Sequence, residues 1–293
     1  STACSVDNLR TEGNCYAPVN YDNKFRGPIT FRNALAQSIN VPAVKALYLV
    51  GVTEATKFAR DLGITTLAGQ GQYGLTLVLG GGEVKLIDMV SAYGVFANEG
   101  AKHPTTGILR IEDASGTVIE EYKDDSVQII DRQIALQISD VLSDNNARAP
   151  SFGWNSPLYF EGRDVAAKTG TTNDYRDTWI VGYSPTIAVG AWAGNNDNRS
   201  MAKQVAGFIV SPMWREFMDF ALTKRPEKKF SEPDAIPGDI KPILRGVWIS
   251  SAPTGGGSSS PSLSEALGGA HDILHYVMKN DPRGPYPSNP QKD

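Results

Sequence analysis

Residues 165–193 read Val165-Ala166-Ala167-Lys168-Thr169-Gly170-Thr171-Thr172, then Asn173-Asp174-Tyr175-Arg176-Asp177, then Thr178-Trp179-Ile180-Val181-Gly182-Tyr183, Ser184-Pro185, and Thr186-Ile187-Ala188-Val189-Gly190-Ala191-Trp192-Ala193. Three runs of strand length, 165–172, 178–183 and 186–193, are rich in β-branched, aromatic and small apolar residues. The last two are joined only by the turn signal Ser184-Pro185. This spacing predicts three neighbouring strands of one antiparallel sheet. The run from Ser211-Pro212 to about Leu222 then predicts a helix, with Met213, Phe217, Phe220 and Ala221 placed to cover that sheet.

Toward the N-terminus the pattern turns helical. Thr30 is a candidate N-cap with Phe31, Ala34 and Leu35 on one face, and the run ends around Ser38-Ile39-Asn40. Pro42 suits the first turn of a second helix carrying Val44, Leu47 and Tyr48 and stopping at Gly51, and a third begins at Thr53 and closes at Gly63. Gly80-Gly81-Gly82 precedes a longer apolar stripe of Leu86, Met89, Val90, Tyr93 and Phe96 that ends before Gly100. The first third therefore reads as an all-helical subdomain. Ile108, Ile111, Val118 and Ile119 flank Asp113-Ala114-Ser115-Gly116 as in a hairpin, and Asp131 opens a helix with Ile134, Ile138, Val141 and Leu142 at helical spacing. The fold class expected is α+β, with a principal domain over 1–228. Residues 229–293 form a linker and appendage that includes the flexible stretch Gly255-Gly256-Gly257-Ser258-Ser259-Ser260. Residues up to about Gly27 read as loop.

The 293 residues carry a formal net charge of -4 and show no face-sized cluster of Lys and Arg, which argues against nucleic acid as a partner. No run of eighteen apolar residues occurs. Cys4 and Cys15 are the pair available for one short disulfide loop in an oxidising compartment. His271 and His275 share a helical face but have no Glu or third ligand arranged around them, so they read as surface residues and no metal site is expected.

Lys168 interrupts an apolar strand and is followed by hydroxyls around a glycine. The ammonium supplies charge and Thr169 and Thr171 can donate hydrogen bonds. Gly170 removes a side chain that would keep a substrate backbone from lying alongside. An open strand edge there could pair with an extended peptide ending in a carboxylate. Ser38 and Asn40 form a second candidate, because a hydroxyl can pass a proton while a carboxamide two residues on holds a substrate amide. Ser143-Asp144-Asn145 has the same pattern but reads as a helix terminus.

Together these features resemble the penicillin-binding transpeptidases and serine β-lactamases, whose motifs are Ser-x-x-Lys, Ser-x-Asn and Lys-Thr-Gly. The stretch from Gly27-Pro28-Ile29-Thr30 through Ser38-Ile39-Asn40-Val41-Pro42-Ala43-Val44 resembles the second-motif helix of bifunctional, class A penicillin-binding proteins. Leu79-Gly80-Gly81-Gly82-Glu83-Val84 and the stretch from Ala167-Lys168-Thr169-Gly170 to Asp177-Thr178-Trp179 are similar to theirs as well. The likeness covers roughly residues 16 to 222 and favours Ser38 over Ser143.

One departure stands out. In that family Ser-x-x-Lys lies upstream of Ser-x-Asn, yet the single such tetrad here, Ser200-Met201-Ala202-Lys203, follows Lys168 and reads as coincidence. The chain is therefore expected to begin inside the domain, with the acylating serine on an upstream segment or a separate fragment of the same domain. The resemblance implies a penicillin-binding fold, N-terminally incomplete, whose antiparallel sheet is packed with helices. It implies D,D-transpeptidation of peptidoglycan stem peptides outside the cell membrane, acylation by β-lactams, and no cofactor. Ser38 would relay a proton, Asn40 would orient the substrate amide, Lys168 would polarise the site, and Thr169, Gly170 and Thr171 would hold the substrate's carboxylate end. Two other readings are a catalytically inactive penicillin-fold module that binds wall peptide or a partner, and a carboxypeptidase or β-lactamase-type hydrolase.

Overall fold

The computed structural model describes residues 17–67, 73–201 and 209–235. At its centre β5 (Ala166–Thr171), β6 (Asp177–Ser184) and β7 (Ile187–Gly194) form an antiparallel sheet in the order β5-β6-β7, within about a residue of the sequence expectation. The register pairs Lys168 with Val181, Thr169 with Ile180, and Val181 with Gly190. Among the described residues β5 is thus an edge strand.

Because successive strand residues point to opposite faces, this register sorts the packing. On one face lie Ala166, Tyr183 and Gly190. Helix α4 (Leu86–Ala97) lies so close that a Cβ at Gly190 would come within 2.5 Å of Val90 Cγ2. Leu142 of α5 (Arg132–Ser143) shares a buried cluster with Ala166 and Tyr183, and the Tyr183 hydroxyl meets Ser139 Oγ at 3.0 Å. On the other face lie Ile180, Gly182 and Ala191, covered by α7 (Ser211–Thr223) through Trp214, Met218 and Leu222. Helix α4 also turns Ala92 and Val95 toward Leu62, Ile64 and Leu67, so it is apolar on most of its circumference.

The remaining helices are α1 (Phe31–Ala36), α2 (Asn40–Val50), α3 (Val52–Leu62) and α6 (Asn145–Phe152). Thr30 caps α1 by accepting the Asn33 N–H at 3.2 Å, and Gly51 and Gly63 end α2 and α3 with positive φ. Two small ladders complete the described strands: β1 (Ala101–Lys102) with β4 (Val127–Gln128), and the hairpin of β2 (Arg110–Glu112) and β3 (Val118–Glu121), whose Asp113 carboxylate accepts the Ser115 and Thr117 N–H groups. Past α7, Phe230 packs edge-on to Tyr183 with ring centres 5.6 Å apart, and Ser231 donates to Glu99 at 2.6 Å.

Two expectations are corrected. Met213, Phe217 and Phe220 do not cover the sheet but are exposed, at 56, 54 and 64%. The helix has a second apolar stripe, Trp214-Met218-Ala221-Leu222, and that one is buried. Trp214 decides between them: its indole N–H donates to Val189 O at 3.0 Å, and a Cβ on Gly182 would come within 2.4 Å of its ring. In α5 the buried residues are Ala135, Leu136, Ser139 and Leu142, while Ile134 is exposed. The sequence reading did not include α6, whose Asn pair and internal Pro150 are helix-disfavouring signals; Asp144 caps it by accepting the Ala147 N–H at 2.9 Å. Cys4, Cys15, His271, His275 and the 255–260 linker lie outside the described residues, as do Ala202 and Lys203. Among the described residues no helix is long and apolar enough to cross a membrane.

Candidate active site

Helix α1 ends in a Schellman turn. The Ile39 N–H reaches Ala34 O at 2.9 Å and the Ser38 N–H reaches Leu35 O at 3.1 Å, with Ile39 and Ala34 both buried. The residue at the left-handed position of such a turn is usually Gly, because a Cβ there is crowded. Here it is Ser38, with φ +59°. The chain thus keeps a strained hydroxyl where a glycine would fit more easily. That hydroxyl accepts a hydrogen bond from Lys168 Nζ at 2.6 Å, across 130 residues of sequence.

Lys168 comes to this point because the pleat of β5 sends it to the same face as Val181, the face that carries α4 and α5. Its ammonium also donates to Thr169 O at 2.8 Å. Burial costs the charged form its hydration and lowers the Lys168 pKa from 10.5 to about 8. Gly170 follows on the same face, and a Cβ there would crowd the Cβ of its cross-strand partner Trp179 at 3.3 Å, so packing within the sheet also favours glycine. Thr169 and Thr171 pair with Ile180 and Thr178 and so belong to the other face. Ammonium and hydroxyls on opposite faces can serve one ligand where the faces meet, along the open edge of β5.

Asn40 is the first residue of α2, and its side-chain amide donates to Val19 O at 3.3 Å. Ser38 and Lys168 thus meet at the junction of α1 and β5, with Asn40 two residues on at the start of α2. Ser143, Asp144 and Asn145 do not join them. Ser143 ends α5, Asp144 caps α6, and Asn145 donates to Trp154 O at 3.0 Å. Ser200 lies past β7, where Asn195 donates to its carbonyl at 3.4 Å.

Two supports were not foreseen. Arg32 on α1 pairs with Asp140 and, at 3.0 Å, with Asp144, tying the helix that ends at Ser38 to α5 and α6. Gly80, at φ +98°, sits where a Cβ would come within 2.8 Å of Thr172 Cγ2, just past the end of β5. The glycine triplet belongs to the stretch 79–84 that carries the family likeness. Its three close approaches, to Thr172, to the Thr76 backbone and to Leu67 and Leu77, explain why all three positions lack a side chain.

The mixed fold, with its antiparallel sheet between helices, is shared with penicillin-binding protein transpeptidase domains. The family model of the penicillin binding protein transpeptidase domain matches residues 5–219, and the chain belongs to that family. It is 30% identical to penicillin-binding protein 2D of Bacillus subtilis (strain 168) over 97% of this chain and 40% of that protein. Identity with penicillin-binding protein 1A of Aquifex aeolicus (strain VF5) is 33% over 79% of this chain and 31% of that protein. The chain thus spans well under half the length of these relatives. Among solved structures it is similar to penicillin-binding protein 1A from Haemophilus influenzae, with TM-score 0.65 and 24% identity over 74% of this chain and 38% of that one. It is also similar to PonA1 from Mycobacterium tuberculosis in complex with penicillin V, with TM-score 0.63 and 25% identity over 74% of this chain and 63% of that one.

Proposed function

We propose that this chain supplies the second and third motifs of a D,D-transpeptidase that cross-links peptidoglycan stem peptides, and that a serine on an upstream segment is its nucleophile. In this reading the serine attacks the penultimate D-Ala carbonyl, and the bond to the terminal D-Ala nitrogen breaks. Ser38 relays to that leaving amine the proton that the attacking serine gives up. An amine of a second stem peptide then takes the acyl group from the serine. Lys168 polarises Ser38 and favours the substrate's terminal carboxylate, Asn40 orients its amide, and Thr169, Gly170 and Thr171 line the strand edge along which it lies. The Thr171 N–H is one of two oxyanion donors, each worth about 3 kcal/mol in such sites. The carrying observation is the 2.6 Å contact between Lys168 Nζ and Ser38 Oγ.

Residues 1–228 act as the transpeptidase part, onto which 230–234 still pack, and the chain beyond acts as an appendage, outside the cytoplasm where the wall lies. β-Lactams acylate the same serine. Two surfaces support the need for an upstream segment. The outer edge of β7 pairs with no strand among the described residues, and α7 exposes Met213, Phe217 and Phe220 beside the sheet. The test is labelling with fluorescent penicillin. The full-length protein is expected to label, its Ser38→Ala and Lys168→Gln variants to label far more slowly, and the 293-residue chain alone to stay dark. Robust labelling of the chain alone would mean that the nucleophile has been misplaced.

A further inference from the structure

Helix α2 begins without a cap of its own. Its N-cap residue, Ile39, has an apolar buried side chain and makes no capping hydrogen bond. The nearest hydroxyl, Ser38 Oγ, is engaged by Lys168. Pro42 removes one orphan N–H from the first turn, but Val41 keeps one that needs an acceptor. The acceptor comes from twenty-one residues upstream: Asn20 Oδ1 takes the Val41 N–H at 3.0 Å.

Asn20 is built for that position. It is only 4% exposed although the loop around it is open to solvent. Its amide nitrogen donates to Lys24 O at 2.7 Å, and its own carbonyl accepts the Asn23 N–H at 2.9 Å, so one residue closes the turn 20–24 and caps α2. The same loop offers Val19 O to the Asn40 side chain at 3.3 Å. Asn40 stands between these two anchors, with Val41 pinned on one side and its carboxamide oriented on the other.

We propose that Asn20 is a positioning residue for the reaction, an N-cap in trans that fixes the start of α2 and hence the carboxamide of Asn40, leaving Ser38 free for Lys168. This rests on the proposed role of Asn40. A cap supplied from outside the motif removes the need for Ser38 or Asn40 to satisfy the helix end, which a Ser or Asn at such a place ordinarily does.

The test uses the full-length protein and the second-order rate constant of acylation by fluorescent penicillin. Asn20→Ala is expected to slow acylation roughly tenfold, since small displacements of an orienting group cost up to about a hundredfold. Asn20→Asp keeps an acceptor for the Val41 N–H, favoured by the helix dipole, but sets a carboxylate oxygen against Lys24 O where the amide donated; it is expected to fall between the parent and Asn20→Ala. Because Asn20 acts through Asn40, the double variant Asn20→Ala/Asn40→Ala should be no slower than Asn40→Ala alone. General destabilisation would instead multiply the two effects, and multiplication overturns the proposal. So does a parental rate for Asn20→Ala, or an Asn20→Asp variant as slow as Asn20→Ala, which would assign the effect to the loop rather than the cap. If Asn20→Ala does not fold, Asn20→Asp alone and combined with Asn40→Ala carries the same comparison. A parental rate for Asn40→Ala would overturn both this inference and the reading of the site beneath it, whereas the other failures overturn this inference alone.

Discussion

Raising the pH from 7 to 9 is expected to slow acylation by β-lactam about tenfold, with Lys168 as the cause. The ammonium donates to Ser38 Oγ at 2.6 Å and to Thr169 O at 2.8 Å, and deprotonation leaves two N–H groups for these bonds but removes the charge that strengthens them. The positive charge is also what a substrate carboxylate would meet. With a pKa of about 8 set by burial, the charged fraction falls from about nine-tenths at pH 7 to about one-tenth at pH 9. An ordinary surface lysine, titrating near 10.5, would stay charged over that range. The second-order constant for fluorescent penicillin reports ionisations of the free enzyme, so it is the quantity to follow between pH 6.5 and 9.5 on the full-length protein. Lys168→Arg stays charged throughout and should lose the alkaline limb, although its planar fork fits a point contact poorly and lowers the whole profile. Lys168→Gln should be slow and flat. A parental profile that stays level or rises from pH 7 to 9 would refute the reasoning, because the neutral amine would then suffice. A limb that persists in Lys168→Arg would assign it to another group.

The same burial has a cost to the fold. Since the folded pKa lies below the unfolded one, Lys168 destabilises the native state fully below pH 8, by about 3 kcal/mol, and the penalty fades as pH rises toward 10.5. Lys168→Met should therefore melt above the parent at pH 7, with the gap in unfolding free energy shrinking by pH 9.5; a gap that widens would reverse the sign. Ser38→Gly should relieve the left-handed strain and stabilise by up to about 1 kcal/mol in urea titrations, while slowing acylation on the order of a hundredfold. Gly80→Ala should cost about 1–3 kcal/mol, because the new Cβ meets Thr172 at φ +98°, and should slow acylation through the displaced end of β5.

The strands were legible because their apolar runs and turn residues agree: Ser184-Pro185 separated β6 from β7, and the strand bounds fell within a residue of expectation. Helix existence was legible where a cap coincided with an apolar helical period, as at Thr30, Gly51, Gly63 and Asp131. Helix orientation was harder. Helix α7 carries two apolar stripes of suitable period, and only the three-dimensional fit of Trp214 over Gly182 selects between them. Helix α6 was missed for the opposite reason, since its cap Asp144 was weighed as part of a rival motif and its paired Asn residues and Pro150 give no helical signal. In the site, Ser38, Asn40 and Lys168 could be named from residue chemistry and family likeness. Asn20 and Arg32 could not, because what they do is hold positions, and their partners are distant in sequence.

One short segment shows why such a site resists local reading. Residues 38–41 must end one helix, begin another, and present a hydroxyl and a carboxamide. Local rules would put Gly at the end of α1 and a Ser, Thr, Asp or Asn cap at Ile39 before α2. The chain has neither. Ser38 takes the strained position without a glycine's freedom, and Ile39 gives up capping to fill the core beside Ala34. Each local deficit is met from elsewhere. Lys168 holds the Ser38 hydroxyl, Asn20 supplies the cap, and Arg32 clamps α1 to α5 and α6. Places where a sequence departs from its own local preferences and draws on distant groups to do so are where function is expected to outweigh stability. Here two such departures, at Ser38 and at Lys168, meet in a single hydrogen bond.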